Sequence, residues 1–168
     1  MPSEKTVTKS PIAAIKTSAK SSADKVAKTA PKRKHIKYED KLGGQPELIS
    51  IFNSIKALMK LYVKGTLKER GEAAGIYNLV SEKQVEIEGR KKDELYFASI
   101  IIQKGYVGFY FMPVYGVNKP EEVFHPNLLK HLKGKACFHI KKNDPDLLEQ
   151  IKDALKVGLD LYKKRGWF

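Results

Sequence analysis

The sequence predicts an α+β fold in which an antiparallel β-sheet is packed by an N-terminal and a C-terminal α-helix. Apolar residues recur at helical spacing between residues 48 and 62 and again between residues 147 and 162. Between these segments, two runs that are apolar on both faces meet at Lys104 and Gly105, as the strands of a hairpin do. With 168 residues and 42% hydrophobic content, the chain can bury one ordinary core. We therefore expect one folded domain, residues 42–168, after a tail, residues 1–41.

The first predicted helix begins near Pro46, which suits a first helical turn, and ends near Gly65. Its apolar stripe consists of Leu48, Ile51, Phe52, Ile55, Leu58, Met59 and Tyr62. A helix of this length is marginal alone in water, so the stripe must dock on a sheet. After this helix the pattern weakens, and alternation predicts two strands, residues 76–80 and 85–88, joined as a hairpin through Ser81, Glu82 and Lys83.

The central hairpin is predicted in detail because a two-residue turn fixes its register. If Lys104 and Gly105 form the turn, the predicted pairs are Gln103 with Tyr106, Ile101 with Gly108, Ser99 with Tyr110 and Phe97 with Met112. One face is then wholly apolar and should meet the helices; it holds Ala98, Ile100, Ile102, Val107, Phe109 and Phe111. The other face is mixed and should point away from the interior; it holds Phe97, Ser99, Tyr106, Tyr110 and Met112.

The remaining elements follow from local signals. Pro126 opens a short helix, and residues 136–141 alternate as a strand. Asp144 suits the N-cap of the last helix, Pro145 suits its first position, and Gly166 suits its end. Trp167 is expected to fold back as an apolar cover.

The tail carries about half of the net charge of +13. Residues 1–41 hold eleven Lys or Arg against four Asp or Glu, which gives 11 − 4 = +7. The tail has too few large apolar residues for their burial to offset the conformational entropy lost on ordering the chain. We therefore predict that residues 1–41 are disordered. The tail could contact phosphates non-specifically, centred on Lys32, Arg33 and Lys34, or it could act only as a solubilising segment. An acidic protein is the other partner that this charge favours.

The composition also indicates the cellular compartment of the protein. The single cysteine, Cys137, excludes an intrachain disulfide framework and fits a reducing compartment. No apolar run is long enough to span a membrane, and the first 30 residues lack the apolar core of a secretory signal. A cytoplasmic protein without a membrane partner is expected, either monomeric or homodimeric.

Chemically active motifs are scarce. Cys137 and His139 place a thiol and an imidazole on one strand face, but they supply two of the three or four ligands that zinc takes. A hydrogen-bonded structural pair is the simpler interpretation. Glu86 and Glu88 would share a strand face, either solvated or available to iron. No nucleophile, base and orienting group can be placed together, so an enzyme is not expected and no cofactor is assigned.

The segments YFASIIIQKGYVGFYFMPVYG and PNLLKHLKGKACFHIKK, followed by a terminal helix that begins DPDLL, resemble the YdhG-like domains. This is an uncharacterised bacterial family that includes a frataxin-like iron chaperone. The resemblance spans residues 46–164, and it implies an antiparallel sheet covered by helices. It also implies iron as a candidate ligand, and the weak candidates in this sequence to hold it are Glu86, Glu88 and His139.

We expect a non-enzymatic module that binds a small ligand or a partner protein in a groove on the mixed sheet face. The residues predicted to line this groove are Ser99, Tyr106, Tyr110, Met112, Cys137 and His139. Iron delivery is the first alternative, and non-specific nucleic-acid association through the tail is the second.

Overall fold

This computed structural model describes residues 45–168, which contain three α-helices and seven β-strands. The helices are α1 (Pro46–Lys60), α2 (Pro126–Leu129) and α3 (Pro145–Lys164). The strands are β1 (Leu67–Ala73), β2 (Ile76–Ser81), β3 (Val85–Ile87), β4 (Arg90–Lys92), β5 (Leu95–Gln103), β6 (Tyr106–Phe111) and β7 (Cys137–Ile140). Two short 3-10 turns, Met112–Gly116 and Pro120–Glu122, lie between β6 and α2. The predicted tail, including Lys32, Arg33 and Lys34, lies outside the described residues.

The main sheet is antiparallel and has the strand order β1-β2-β5-β6-β7. The predicted α+β class, with helices at both ends of the described range, is confirmed. The predicted caps are present as well, because the Asp144 carboxylate accepts hydrogen bonds from the backbone N–H groups of Asp146 and Leu147. Trp167 packs edge-on against Tyr162, with ring centroids 5.4 Å apart.

The two long helices cover one side of this sheet, which we call the inner face. Its side chains join those of α1 and α3 in a single core. The buried inner-face residues are Tyr77, Leu79, Phe97, Ala98, Ile100, Ile102, Val107, Phe109, Phe111, Phe138 and Ile140. Rings meet at its centre, where Phe97 stands edge-on to both Phe111 (5.6 Å) and Tyr162 (5.1 Å). Edge-on ring pairs at these separations contribute stabilisation in addition to that from burying the rings.

The predicted register of the central hairpin is correct for Gln103 with Tyr106, Ile101 with Gly108 and Ser99 with Tyr110. The prediction that Phe97 points outward is wrong. Along β5, Ala98 lies opposite Leu79 and Tyr96 lies opposite Val80, so Phe97 is an extra residue in a β-bulge. A bulge shifts the alternation of the strand by one residue, which sends Phe97 into the core and Tyr96 outward. The predicted pair of Phe97 with Met112 is absent, because β6 ends at Phe111.

The predicted hairpin between residues 76–80 and 85–88 is also wrong. Both edges of β2 are already paired, one with β1 and the other with β5. At the end of β2, the buried Ser81 hydroxyl donates a hydrogen bond to the Trp167 carbonyl at 2.5 Å. The chain then leaves the main sheet, and β3 pairs with β4 in a separate two-stranded sheet. Glu88 lies in the turn of that hairpin with φ of 51°, so it does not share a strand face with Glu86.

Candidate functional site

The opposite side of the sheet, which we call the outer face, carries polar and aromatic side chains. One row of cross-strand neighbours runs through all five strands, in the order Arg70, Asn78, Ser99, Tyr110 and Cys137. The Ser99 hydroxyl donates a hydrogen bond to the Asn78 side-chain oxygen at 2.5 Å. Such a row can fix the orientation of a ligand, because its donors and acceptors lie at the regular spacing of the strands.

Tyr110 is the central ring of the outer face. A Cβ atom at Gly108 would lie 2.9 Å from the Tyr110 ring, so the ring leans over this glycine. Burial and the neighbouring Cys137 raise the pKa of Tyr110 to about 12. Tyr110 is therefore a neutral phenol at physiological pH, able to stack and to hydrogen-bond but not to act as a base.

A shallow depression of about 260 Å³ lies beside Tyr110. Its lining consists of Tyr96, Ala98, Ser99, Ile101, Tyr110 and Met112. The sequence correctly placed Ser99, Tyr110 and Met112 on this side of the sheet. It missed Tyr96, whose side is set by the bulge. Ile101 was predicted on this face, opposite Gly108, but it was not named as a groove residue. Tyr96 is 48% exposed, so the depression has an accessible aromatic wall.

Tyr106 and His139 form a second aromatic feature on the outer face. Their rings are stacked with centroids 3.8 Å apart and an interplanar angle of 13°. Both residues are half-buried. Neither lines the depression, so the predicted groove is divided into the depression on β5 and β6 and a stacked pair on β6 and β7.

His139 also lines a larger cavity of about 460 Å³ at the β7 edge, which we call the cationic cavity. Its lining consists of Lys130, His131, Lys133, His139, Lys141, Lys142, Asp144 and Leu147. The sequence suggested only His139 as a site residue in this region. The lysines were missed because they are scattered over 13 positions and come together only through tertiary structure.

The wall of the cationic cavity is built by backbone pairing along β7. The His139 N–H donates to the His131 carbonyl at 2.9 Å, and the Lys133 N–H donates to the Cys137 carbonyl at 2.7 Å. An isolated bridge joins Leu132 to Phe138. Residues 131–133 therefore run along the edge of β7 that faces away from β6, and this pairing holds Lys133 and His131 beside the strand.

Cys137 lies in the polar row next to Tyr110. Burial raises the pKa of its thiol, and the hydrogen bond with Tyr110 opposes that shift only in part. A thiol with a raised pKa holds little thiolate at neutral pH, so the arrangement does not provide an activated nucleophile.

The three residues suggested for iron lie on different elements. Glu86 is on β3 opposite Lys91, Glu88 is in the β3-β4 turn, and His139 is on β7 of the main sheet. Within residues 45–168, no three His, Cys, Asp or Glu side chains gather into a group that could hold a metal ion. The iron interpretation remains a prediction from the sequence.

Among residues 45–168, no helix combines the length and the apolar character needed to cross a membrane. Comparisons with models of protein families, with curated proteins and with solved structures found no match to this chain. The resemblance to YdhG-like domains therefore remains a prediction.

Proposed function

We propose that this protein is a non-enzymatic binding module whose outer face accepts a flat aromatic group in the depression beside Tyr110. The observation that carries the proposal is an aromatic depression on the face of the sheet that the core leaves open. Tyr96, Ile101, Tyr110 and Met112 do not belong to the core cluster, although each is large and apolar enough to join it. Their exposure costs hydrophobic free energy that a ligand would recover.

The chemistry of the lining favours a planar ring that also carries hydrogen-bonding groups. Tyr96 and Tyr110 offer ring surfaces, and Met112 offers a thioether that contacts aromatic rings favourably. Ser99 adds a hydroxyl to the lining, and this hydroxyl donates a hydrogen bond to the Asn78 side-chain oxygen. A volume of about 260 Å³ suits one small ring system rather than an extended ligand.

The test is a titration of the isotope-labelled full chain with adenosine, a neutral planar probe, followed by amide chemical shifts. Shifts should concentrate at residues 96–101 and 108–112. Replacing Tyr110→Leu should weaken binding at least about fivefold, because stacking on one aromatic side chain contributes roughly 1 to 3 kcal/mol.

Tyr115→Leu is the matched control, since Tyr115 is exposed and lies outside the depression. Shifts that are absent at millimolar adenosine, or that respond equally to both substitutions, would refute the proposal. Self-association that buries Tyr96 and Tyr110, measured by light scattering, would instead assign the face to a second copy of the chain.

A further inference from the structure

The cationic cavity has a strong excess of positive charge. Four lysines face one carboxylate, that of Asp144, so lysine and carboxylate charges alone give the lining a net charge of +3. The Asp144 carboxylate already caps α3 through the N–H groups of Asp146 and Leu147. None of the ion pairs between described residues involves these four lysines. Four ammonium groups without a paired anion form a site that attracts a polyanion.

The cationic cavity adjoins the aromatic outer face. His139 belongs to both, because it lines the cavity and stacks on Tyr106. β7 lies two strand spacings from β5, which is about 10 Å, so the depression and the cavity are close enough for one extended chain to occupy both. Along this path a ligand would meet the Tyr110 ring, then the stacked pair of Tyr106 and His139, and then the lysines.

We infer that this combined surface binds single-stranded nucleic acid, with bases on the aromatic outer face and phosphates against the lysines of the cationic cavity. The inference rests on the proposed function, because it identifies the flat aromatic group as a nucleobase. Single strands are bound by aromatic side chains that stack on bases, combined with a positively charged groove that follows the backbone. The sheet supplies the first component and the cavity supplies the second, which distinguishes this site from the tail interaction predicted from charge alone.

Other polyanions would contact only part of this combined surface. A duplex keeps its bases stacked on one another, so the rings on the outer face would remain unused. An acidic peptide would satisfy the lysines without a planar group for Tyr110. The structure therefore favours a single strand over these two partners.

The test measures binding of a fluorescent ten-nucleotide single strand to the full chain by anisotropy at several salt concentrations. The variant Lys133→Gln/Lys141→Gln removes two charges from the cationic cavity, and Lys156→Gln/Lys164→Gln removes two exposed charges from α3 as the control. The tail is identical in both variants, so any contribution from residues 1–41 cancels. The slope of log K against log salt is negative, and it should become less steep by about 1.4 for the cavity variant and stay unchanged for the control, since each phosphate contact on a single strand contributes about 0.7 to its magnitude.

A second arm uses Tyr110→Leu, and a third uses a strand with 5-bromouracil whose photochemical cross-links are mapped by mass spectrometry. Tyr110→Leu should weaken binding at least about fivefold, and cross-links should form at Tyr106, Tyr110 or His139. If adenosine binds the outer face but the cavity variant binds the strand like its control, the inference is wrong and the proposed function stands.

Loss of strand binding in the cavity variant with no effect of Tyr110→Leu would mean an anion site only, which refutes the inference; the adenosine titration then decides the proposed function by itself. Equal affinity for the duplex of the same sequence, or for polyglutamate, would refute the single-strand assignment. Cross-links confined to residues 1–41 would assign the binding to the tail and overturn the inference.

Discussion

The inner and outer faces of the main sheet are built from alternate residues of the same strands, yet they differ in almost every property. Along β6, Val107, Phe109 and Phe111 are fully buried, whereas Tyr106 and Tyr110 are only half-buried. The inner residues pack on one another and on two helices, and the outer residues contact their cross-strand neighbours. Because alternation separates the two sets, we expect the inner face to determine stability and the outer face to determine binding.

The largest expected difference comes from removing one ring on each side of β6. Phe109→Ala should lower the free energy of unfolding by about 3 to 5 kcal/mol, because it leaves a cavity between Phe111 and Phe138. Tyr106→Ala should cost about 1 kcal/mol, since it loses mainly the stack on His139. Urea unfolding followed by circular dichroism measures both. Equal costs would show that the outer face is a second core.

A smaller difference is expected from adding one methyl group at a glycine on each side. A Cβ at Gly158 on α3 would overlap Phe111 and lie 2.9 Å from Pro113. Gly158→Ala should therefore destabilise the protein by about 1 to 3 kcal/mol, after any gain in helix propensity. Gly108→Ala should cost less than about 1 kcal/mol, because the Tyr110 ring can swing outward, but it should weaken adenosine binding. Thermal unfolding together with the adenosine titration separates the two effects.

The smallest effect is a pH dependence that contrasts one tyrosine on each side. Burial raises the pKa of Tyr162, whose hydroxyl donates to the Tyr96 carbonyl at 2.5 Å, and burial raises the pKa of Tyr110 to about 12. A folded-state pKa above the unfolded value of 10 means that the folded state holds the proton more tightly. The resulting stability is fully present below about pH 10 and is lost as the pH rises towards 12 and beyond.

Unfolding measured from pH 8 to 11 tests this contrast. Stability of the unmodified protein should decline above pH 10, and Tyr162→Phe should flatten the decline more than Tyr110→Phe, because Tyr162 is the more deeply buried. A steeper decline in either variant would contradict the assignment of these groups. The two variants differ only at these tyrosines, so the comparison between them isolates the two phenols.

Much of the fold was predictable because it depends on local rules. The α1 stripe, the Asp144 cap and the Lys104-Gly105 turn each express a preference within a few residues. The strand β1 was not predicted, since its sequence LKERGEA is polar and contains a glycine. It is an edge strand, and it exists because β2 offers a free edge for pairing.

The candidate site was predictable only in part. Alternation correctly placed Ser99, Tyr106, Tyr110, Cys137 and His139 on one face, since the turn fixed the register. It assigned Phe97 to the wrong face, because a bulge arises from the fit between neighbouring strands and leaves no periodic signal. The cationic cavity was missed for a similar reason, as its lysines come from two segments, residues 130–133 and 141–142, that meet at the edge of β7.

The sequence by itself determined the helices, the central hairpin and the side of the sheet on which most of the polar and aromatic residues lie, because spacing and turn chemistry act along the chain. Tertiary structure alone decided three features: the bulge that exposes Tyr96, the separate β3-β4 hairpin, and the gathering of lysines around His139. These features depend on which strand edges are already paired and on how distant segments pack. Neither the pairing of strand edges nor the packing of distant segments is encoded in the hydrophobic period of any single segment.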